Sequence, residues 1–175
     1  EFPEPVTEAD RRAWGTSTDE GTRAVRRAWR RITATDLEPG ELSLPMELEP
    51  NSAIAVGMAG MGKLRGEADF RTLIDRSIEL SAELAPPRND AFKGLMLLYA
   101  GADRHEEGLK LLRSAFLKAP ENSDFAGLYA AAALANGSFD EGYGVVDKLL
   151  LRDPSGSLVA LQNGAALSVD RDPER

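Results

Sequence analysis

The sequence contains no cysteine and only one histidine, His105, among its 175 residues. Without cysteine the chain can form neither a disulfide nor a thiolate metal site, and one histidine makes neither a metal cluster nor a Ser/His/Asp arrangement. The lack of cysteine does not select a compartment, because cytosolic and periplasmic proteins both tolerate it. His105 precedes Glu106 and Glu107 at a predicted turn, where we expect an exposed residue at a helix start.

The sequence also lacks a long apolar run and an excess of basic residues. Its longest apolar stretch, residues 126–135, is far shorter than the roughly 20 residues that a membrane-spanning helix needs. The alanines of that stretch predict a buried helix. The formal net charge is −8, which argues against a general nucleic-acid binder because a polyanion is bound by a basic surface. We therefore expect no membrane span and no nucleic-acid partner.

The chain begins at Glu1 and Phe2 rather than at a methionine. We interpret this start as a processed or trimmed form, or as a cloning remnant, so that a targeting segment cannot be read from the sequence. The localisation therefore stays open between cytoplasm and periplasm.

A period of 34 residues runs through residues 89–154. Pro86, Pro120 and Pro154 are separated by that interval, and each closes a segment of helical apolar periodicity. A proline ends a helix because it cannot continue the backbone hydrogen-bond ladder. A repeat of this length indicates pairs of helices that cannot bury their own apolar faces and therefore stack on their neighbours.

Small residues recur at one position of this period. Gly108 falls on Gly142 when the two repeats are aligned, and Ala115 follows on the same helix as Gly108. We expect these residues where two helices cross closely.

The pattern is carried by Phe92, Leu95, Tyr99, Gly108, Leu112, Ala115 and Pro120 in one unit, and by Ala126, Tyr129, Ala130, Ala133, Gly142, Val146, Leu149 and Pro154 in the next. It resembles the tetratricopeptide repeat (TPR) family over roughly residues 53–168. The resemblance implies an all-α, TPR-like α-α superhelix of about three helix–turn–helix units. A capping helix at about Leu158–Leu167 would cover the last apolar face.

We expect three parts along the chain. Residues 1–50 are expected to form a loosely held N-terminal arm, an arginine-rich helix and a Pro/Glu linker. Residues 51–168 are expected to form the solenoid. Residues 169–175 are expected to form a flexible tail. Within the linker the apolar residues alternate, which predicts an extended strap; they are Leu42, Leu44, Met46 and Leu48. Whether residues 1–50 pack on the solenoid or occupy its groove stays open.

The predicted helix that begins at Thr18 or Asp19 has a basic face. It consists of Arg23, Arg26, Arg27, Arg30 and Arg31. Such a face is typical of helices that contact acidic lipid or nucleic acid. In an acidic chain, pairing with the protein's own carboxylates explains it better.

Two predicted turns have the spacing of a capping box, in which the first residue and the third after it bond to each other's backbone. These pairs are Asp103 with Glu106 and Ser138 with Glu141. We expect each box to start the second helix of its unit.

Residues Gly57–Lys63 match the G-x4-G-K pattern of a phosphate-binding loop. Such loops continue with Ser or Thr, which holds magnesium, but this chain has Leu64 there. A phosphate-binding loop also needs a parallel sheet behind it, and the rest of the chain predicts helices. The repeat frame instead places Met61 and Gly62 within a first helix. A nucleotide-binding enzyme fragment that uses this loop is the alternative interpretation.

The resemblance implies that a peptide or a partner's helix binds in the concave groove formed by the first helices. The groove positions carried over by frame are Ala59, Lys63, Asp90, Lys93, Leu97, Ala100, Gly127, Ala131 and Leu134. Some family members bind a C-terminal carboxylate there through paired lysines and asparagines. Of those polar residues this chain has only Lys93, and Leu97 and Gly127 stand where the family has polar side chains. The predicted groove is therefore lined mainly by small and apolar side chains. Such a lining suits an amphipathic helix or an apolar segment. Core residues of an irregular stack would show the same pattern.

No set of residues makes an active site, so we expect no catalytic activity, metal or cofactor. The sequence predicts an adaptor, assembly factor or chaperone that binds another protein. Assembly into a homo-oligomer stays open.

Overall fold

The computed structural model describes residues 5–34, 42–63 and 67–164, except for 157, 159 and 163, and without the side chains of residues 31–34. The described residues form helices and the turns that connect them, and they contain no strand. The predicted all-α fold is confirmed. None of the described helices is long and apolar enough to cross a membrane.

The first five helices are α1 (Glu8–Trp14), α2 (Asp19–Ala34), α3 (Leu44–Leu48), α4 (Ala53–Met61) and α5 (Ala68–Leu80). The next four are α6 (Arg88–Ala100), α7 (His105–Lys118), α8 (Ser123–Ala135) and α9 (Phe139–Arg152). Single 3-10 turns precede α7 and follow α5. The described residues between 154 and 164 are also helical, while the last residues of the predicted capping helix, 165–167, lie outside the described part of the chain.

The chain forms two compact units. The first contains the described residues 5–32 and 42–89, and the second contains residues 33, 34 and those from 90 onward. The predicted division into an arm before residue 51 and a solenoid after it stays a prediction.

In the first unit, α4 and α5 share a core. Ile54 and Met58 of α4 and Ile74 of α5 are fully buried. The hydroxyl of Ser77 donates a hydrogen bond to the carbonyl oxygen of Ala53 at 3.0 Å. This pair corresponds to the first predicted helical hairpin.

The start of the first unit is held in place, although we expected a loose arm. Thr7 and Asp10 form a reciprocal capping box at the beginning of α1. Trp14, the last residue of α1, meets Trp29 edge to face, with ring centroids 6.0 Å apart. The guanidinium of Arg88 lies 4.0 Å from the Trp14 ring centroid, within the range of a cation–π contact.

The described part of the connection before α4, residues 42–52, contains the helix α3, so the predicted extended strap is wrong there. Pro45 lies in the first turn of α3, where its fixed φ favours a helix and its missing N–H costs nothing. Leu42 is buried while Leu44 is exposed. The alternation of leucines therefore does not reflect an extended strand.

The carboxylate of Glu49 joins this connection to the start of α2. It accepts hydrogen bonds from the backbone N–H and hydroxyl of Ser17 at 3.0 and 2.9 Å, and from those of Thr18 at 2.8 and 2.7 Å. Burial raises the pKa of Glu49, but the hydrogen bonds from Thr18 and Ser17 outweigh it and hold the pKa below its ordinary value.

In the second unit, α6 and α7 cross at two glycines. A methyl group added at Gly94 would lie 2.8 Å from the carbonyl oxygen of Gly108, and one added at Gly108 would lie 2.8 Å from that of Gly94. Ala115 is fully buried on the same helix. The expectation that Gly108 and Ala115 mark a close helix crossing is confirmed.

Neither predicted capping box forms. The N-cap residues of α7 and α9 are Arg104 and Ser138, and neither caps its helix through its side chain. The turn before α9 is closed from the other side, by the end of α8. There Gly137 adopts a left-handed conformation with φ of 79°, and its N–H donates to the carbonyl of Leu134 at 3.0 Å. The N–H of Ser138 donates to the carbonyl of Ala133 at 2.9 Å, which completes a Schellman motif.

His105 is buried, so its predicted exposure is wrong. Its side chain is 4% exposed, and Nε2 lies 3.0 Å from the carbonyl oxygen of Leu98. That carbonyl belongs to the last turn of α6, where helical carbonyls lack an intrahelical partner. The Nε2–H of His105 therefore caps the end of α6 across the turn.

Candidate partner-binding surfaces

Part of α6 reaches the surface. Lys93 and Ala100 are partly exposed and are seven residues apart, so they lie on one face of the helix. Leu97, which the sequence also assigned to the groove, is fully buried against the Gly108 crossing. Lys93 and Ala100 are therefore open to contact, while Leu97 supports the packing of α6 on α7.

Asp90 lies at the start of α6 and faces α7. Its carboxylate accepts hydrogen bonds from Nζ of Lys118 at 2.7 Å and from the hydroxyl of Ser114 at 3.1 Å. The Asp90 side chain thus fastens the two helices, and its carboxylate is already occupied.

The first helix of the next pair, α8, is almost entirely buried. Ala131 and Leu134 are among its buried residues, whereas Gly127 is partly exposed. A methyl group at Gly164 would lie 3.0 Å from Cβ of Leu134 and 3.3 Å from the carbonyl oxygen of Ala131. The helical segment after Pro154 therefore covers the end of α8, as a capping helix would.

The remaining predicted groove positions belong to the first unit. Ala59 is buried within α4, and Lys63 follows the end of that helix and pairs with Glu67 at 3.5 Å. The groove as a whole stays a prediction.

The phosphate-binding alternative requires a loop that is not present. Residues 57–61 lie inside α4, and all but Met61 are buried. Their backbone N–H groups form helical hydrogen bonds and cannot wrap a phosphate. The glycine spacing at Gly57–Lys63 instead belongs to a helix that packs closely on α5.

The basic face of α2 pairs partly with the protein's own carboxylates. Arg26 forms an ion pair with Asp10 of α1. Arg30 also has an interaction partner within the chain, and the side chain of Arg31 lies outside the described part. The Arg26–Asp10 pair favours the interpretation that the basic face of α2 pairs with the protein's own carboxylates.

Sequence reasoning missed a cavity between α7 and α9. It has a volume of about 320 Å³ and is lined by Phe116 and Leu117 of α7, Tyr129 of α8 and Val145 of α9, with Arg113 and Glu141 at its edge. The sequence carries no signal for it, because its residues come from three separate helices, and the 66% exposure of Leu117 is visible only in the structure. We define this cavity by those six residues and call it the α7–α9 cavity.

The geometry of α7, α8 and α9 agrees with the comparison to known families. Residues 99–163 match the tetratricopeptide repeat family. No curated protein and no solved structure matches the chain. The matched segment confirms the resemblance inferred from the 34-residue period over this part of the sequence. It contains the α7–α9 cavity and the accessible residues Ala100 and Gly127.

Proposed function

We propose that this protein is an interaction module that binds a polypeptide partner, as an adaptor, assembly factor or chaperone does. The observation that carries the proposal is the tetratricopeptide repeat match at residues 99–163, because repeats of this family generally mediate protein–protein interaction. The family is typically non-enzymatic, and we propose that this chain has no catalytic activity, no cofactor and no nucleic-acid partner.

Within the second unit, the proposed contact surface is the accessible part of the first helices. It consists of Lys93, Ala100 and Gly127, which are partly exposed. Ala100 and Gly127 carry little or no side chain, so a partner can approach their backbones closely. Lys93 adds one cation. This combination supports an amphipathic helix or an extended apolar segment with an acidic residue beside its apolar face.

A photo-crosslinking amino acid at position 93 or 100 of the full chain tests the proposal in the source cell. We expect the same polypeptide to be captured from both positions. The control position is Lys110, which is exposed on the second helix α7. Equal capture from position 110 would contradict the first-helix surface.

A matched pair of charge reversals tests the same surface with the captured polypeptide in purified form. Lys93→Glu should weaken its binding severalfold, because one rim charge contributes modestly to affinity. Lys110→Glu makes the same change in charge away from the surface and should leave binding unchanged. Equal effects of the two variants would mean that the protein's net charge, rather than the surface at Lys93, governs binding.

A further inference from the structure

The outer face of α2 is built of arginine. From residue 22 to residue 30, every side chain that is not buried belongs to an arginine. These residues are Arg23, Arg26, Arg27 and Arg30. The acidic residues of the helix, Asp19 and Glu20, are confined to its first turn, where they complement the positive end of the helix dipole. The first unit therefore presents a helix surface of one charge sign, although the net charge of the chain is −8.

Two of these arginines are free to contact another molecule. Arg26 is engaged by Asp10, and Arg30 also interacts within the chain. Within the described part of the protein, Arg23 and Arg27 form neither an ion pair nor a hydrogen bond, and the Nε–H of Arg23 is buried without an acceptor. A buried donor without an acceptor is rare in folded proteins. Turning the Arg23 side chain toward solvent therefore breaks no hydrogen bond and lets this donor meet an anion.

The free pair has the spacing of a two-point contact with carboxylates. Arg23 and Arg27 are four residues apart, so they lie on the same face of α2, about 6 Å apart along the helix axis. In an extended polypeptide, side chains at alternate positions point to the same side and are roughly 6.6–6.8 Å apart. Two carboxylates separated by one residue can therefore reach both guanidinium groups at once.

The use of arginine rather than lysine favours an anion with paired oxygens. Residues 1–62 contain seven arginines and no lysine. The guanidinium group presents its N–H donors in a fixed fork that matches two oxygens of a carboxylate or a phosphate, whereas the ammonium group of lysine acts as a point charge. The chemistry of the face therefore fits a segment that carries carboxylates or a surface that carries phosphates.

Two further observations favour an acidic polypeptide over a membrane or a nucleic acid. The opposite side of α2 is buried in the protein, with Val25 and Trp29 0% and 3% exposed, so the helix cannot insert an apolar face among lipids. Two free cations are also far fewer than the roughly 6–10 phosphate contacts of a typical DNA-binding protein. A pair of carboxylates needs only two cations.

We propose that Arg23 and Arg27 bind an acidic segment of a partner polypeptide, in which two carboxylates at alternate positions of an extended chain each contact one guanidinium group. The polypeptide nature of the partner rests on the proposed function, whereas the acidic pair is inferred from α2 alone. This contact belongs to the first unit and is a second site besides the surface at Lys93 in the second unit.

Titration of the full chain with the peptide acetyl-Ser-Glu-Ser-Glu-Ser-amide tests the contact by NMR at low ionic strength. We expect saturable shifts of the Nε–H resonances of Arg23 and Arg27. The neutral peptide acetyl-Ser-Gln-Ser-Gln-Ser-amide should cause no saturable shift. In acetyl-Ser-Glu-Glu-Ser-Ser-amide the two carboxylates point to opposite sides of an extended chain, so this peptide should bind severalfold more weakly. Equal binding of the two acidic peptides would overturn the two-point contact.

A charge-matched pair of double variants assigns the contact to α2. Arg23→Gln/Arg27→Gln should weaken binding of the alternating peptide by about tenfold, because each exposed ion pair contributes modestly to affinity. Arg12→Gln/Arg71→Gln changes the net charge equally at exposed positions of α1 and α5 and should leave binding unchanged. Equal effects of the two double variants would overturn the site. Arg27→Gln alone changes only an exposed side chain, so it should weaken binding severalfold in a protein whose fold is intact.

Vesicles that contain phosphatidylserine and a DNA duplex test the two other anions. We expect neither to bind at physiological ionic strength. Binding of either one that Arg23→Gln/Arg27→Gln abolishes would overturn the assignment to a polypeptide. The peptides replace the natural partner, so their titration is independent of the crosslinking result at Lys93. A peptide titration without saturable shifts would overturn the acidic contact and leave the proposed function as it stands.

Discussion

Gly94 and Gly108 meet backbone to backbone where α6 crosses α7. A methyl group on either residue would lie 2.8 Å from the carbonyl oxygen of the other. No side-chain adjustment can relieve such a contact, because the neighbouring atom belongs to the main chain. The helical pair can therefore keep this close crossing only while both residues remain glycine.

Gly108→Ala should destabilise the protein although alanine is the better helix former. The overpacked crossing is expected to cost about 1–3 kcal/mol, more than the roughly 1 kcal/mol that alanine gains over glycine within a helix. Urea denaturation followed by circular dichroism at the helical band measures the difference.

Gly144→Ala is the matched control for that experiment. Gly144 is also inside a helix, but no atom lies within 4 Å of an added methyl group. The substitution should therefore raise stability by up to about 1 kcal/mol. Equal effects at Gly108 and Gly144 would mean that helix propensity, and not the crossing, decides the outcome.

Glu49→Gln should loosen the start of the first unit. Two of the four hydrogen bonds to this carboxylate come from backbone N–H groups, and the amide of glutamine brings an NH₂ group toward donors. We expect a loss of about 1–3 kcal/mol near neutral pH. Glu47→Gln, an exposed change on α3, should be neutral.

The effect of Glu49 should depend on pH in a defined direction. The folded state lowers the pKa of Glu49 below its ordinary value of 4.5. Its stabilisation is therefore complete above the unfolded pKa and is lost as the pH falls through the lower, folded pKa. Denaturation at a series of acidic pH values should show wild type converging on Glu49→Gln, and a constant difference down to the lowest pH would contradict this assignment.

His105→Phe should destabilise the turn between α6 and α7. Phenylalanine keeps an aromatic ring but removes the donor that caps the carbonyl of Leu98, at an expected cost of about 1–3 kcal/mol for the orphaned buried group. Hydrogen exchange gives a local readout, and protection should fall at the C-terminal end of α6. Unchanged protection there would show that the His105–Leu98 contact does not hold the turn.

Tyr129→Phe should change the stability of the folded protein by no more than about 1 kcal/mol, because the buried hydroxyl lies beside Glu141 and Arg113 but makes no hydrogen bond of normal geometry to them. Tyr129→Ala should cost about 3–5 kcal/mol, since it removes the ring that stacks on Phe116. Thermal denaturation distinguishes the two variants. A clear loss of stability in Tyr129→Phe would mean that the hydroxyl is already bonded, for instance to Glu141.

One cause explains both the wrong capping-box expectation and the phosphate-loop alternative. The spacing of Ser138 and Glu141 is that of a capping box, but a Schellman motif at the end of α8 closes the same turn through backbone groups. The phosphate-loop alternative at Gly57–Lys63 rests on a glycine pattern that a helix packed closely on its neighbour also produces. In both places the same local spacing is compatible with two structures, so the spacing alone does not select between them.

The sequence by itself determined the helical hairpins of the repeat segment and the close crossing at Gly108, because period, proline position and small residues are local properties that a helix expresses directly. Only the tertiary structure decided the burial of His105, the attachment of Glu49 to Thr18 and the α7–α9 cavity around Tyr129. Each of these depends on groups brought together from separate helices or from distant positions in the chain. No periodicity in the sequence encodes such distances, so they follow from packing alone.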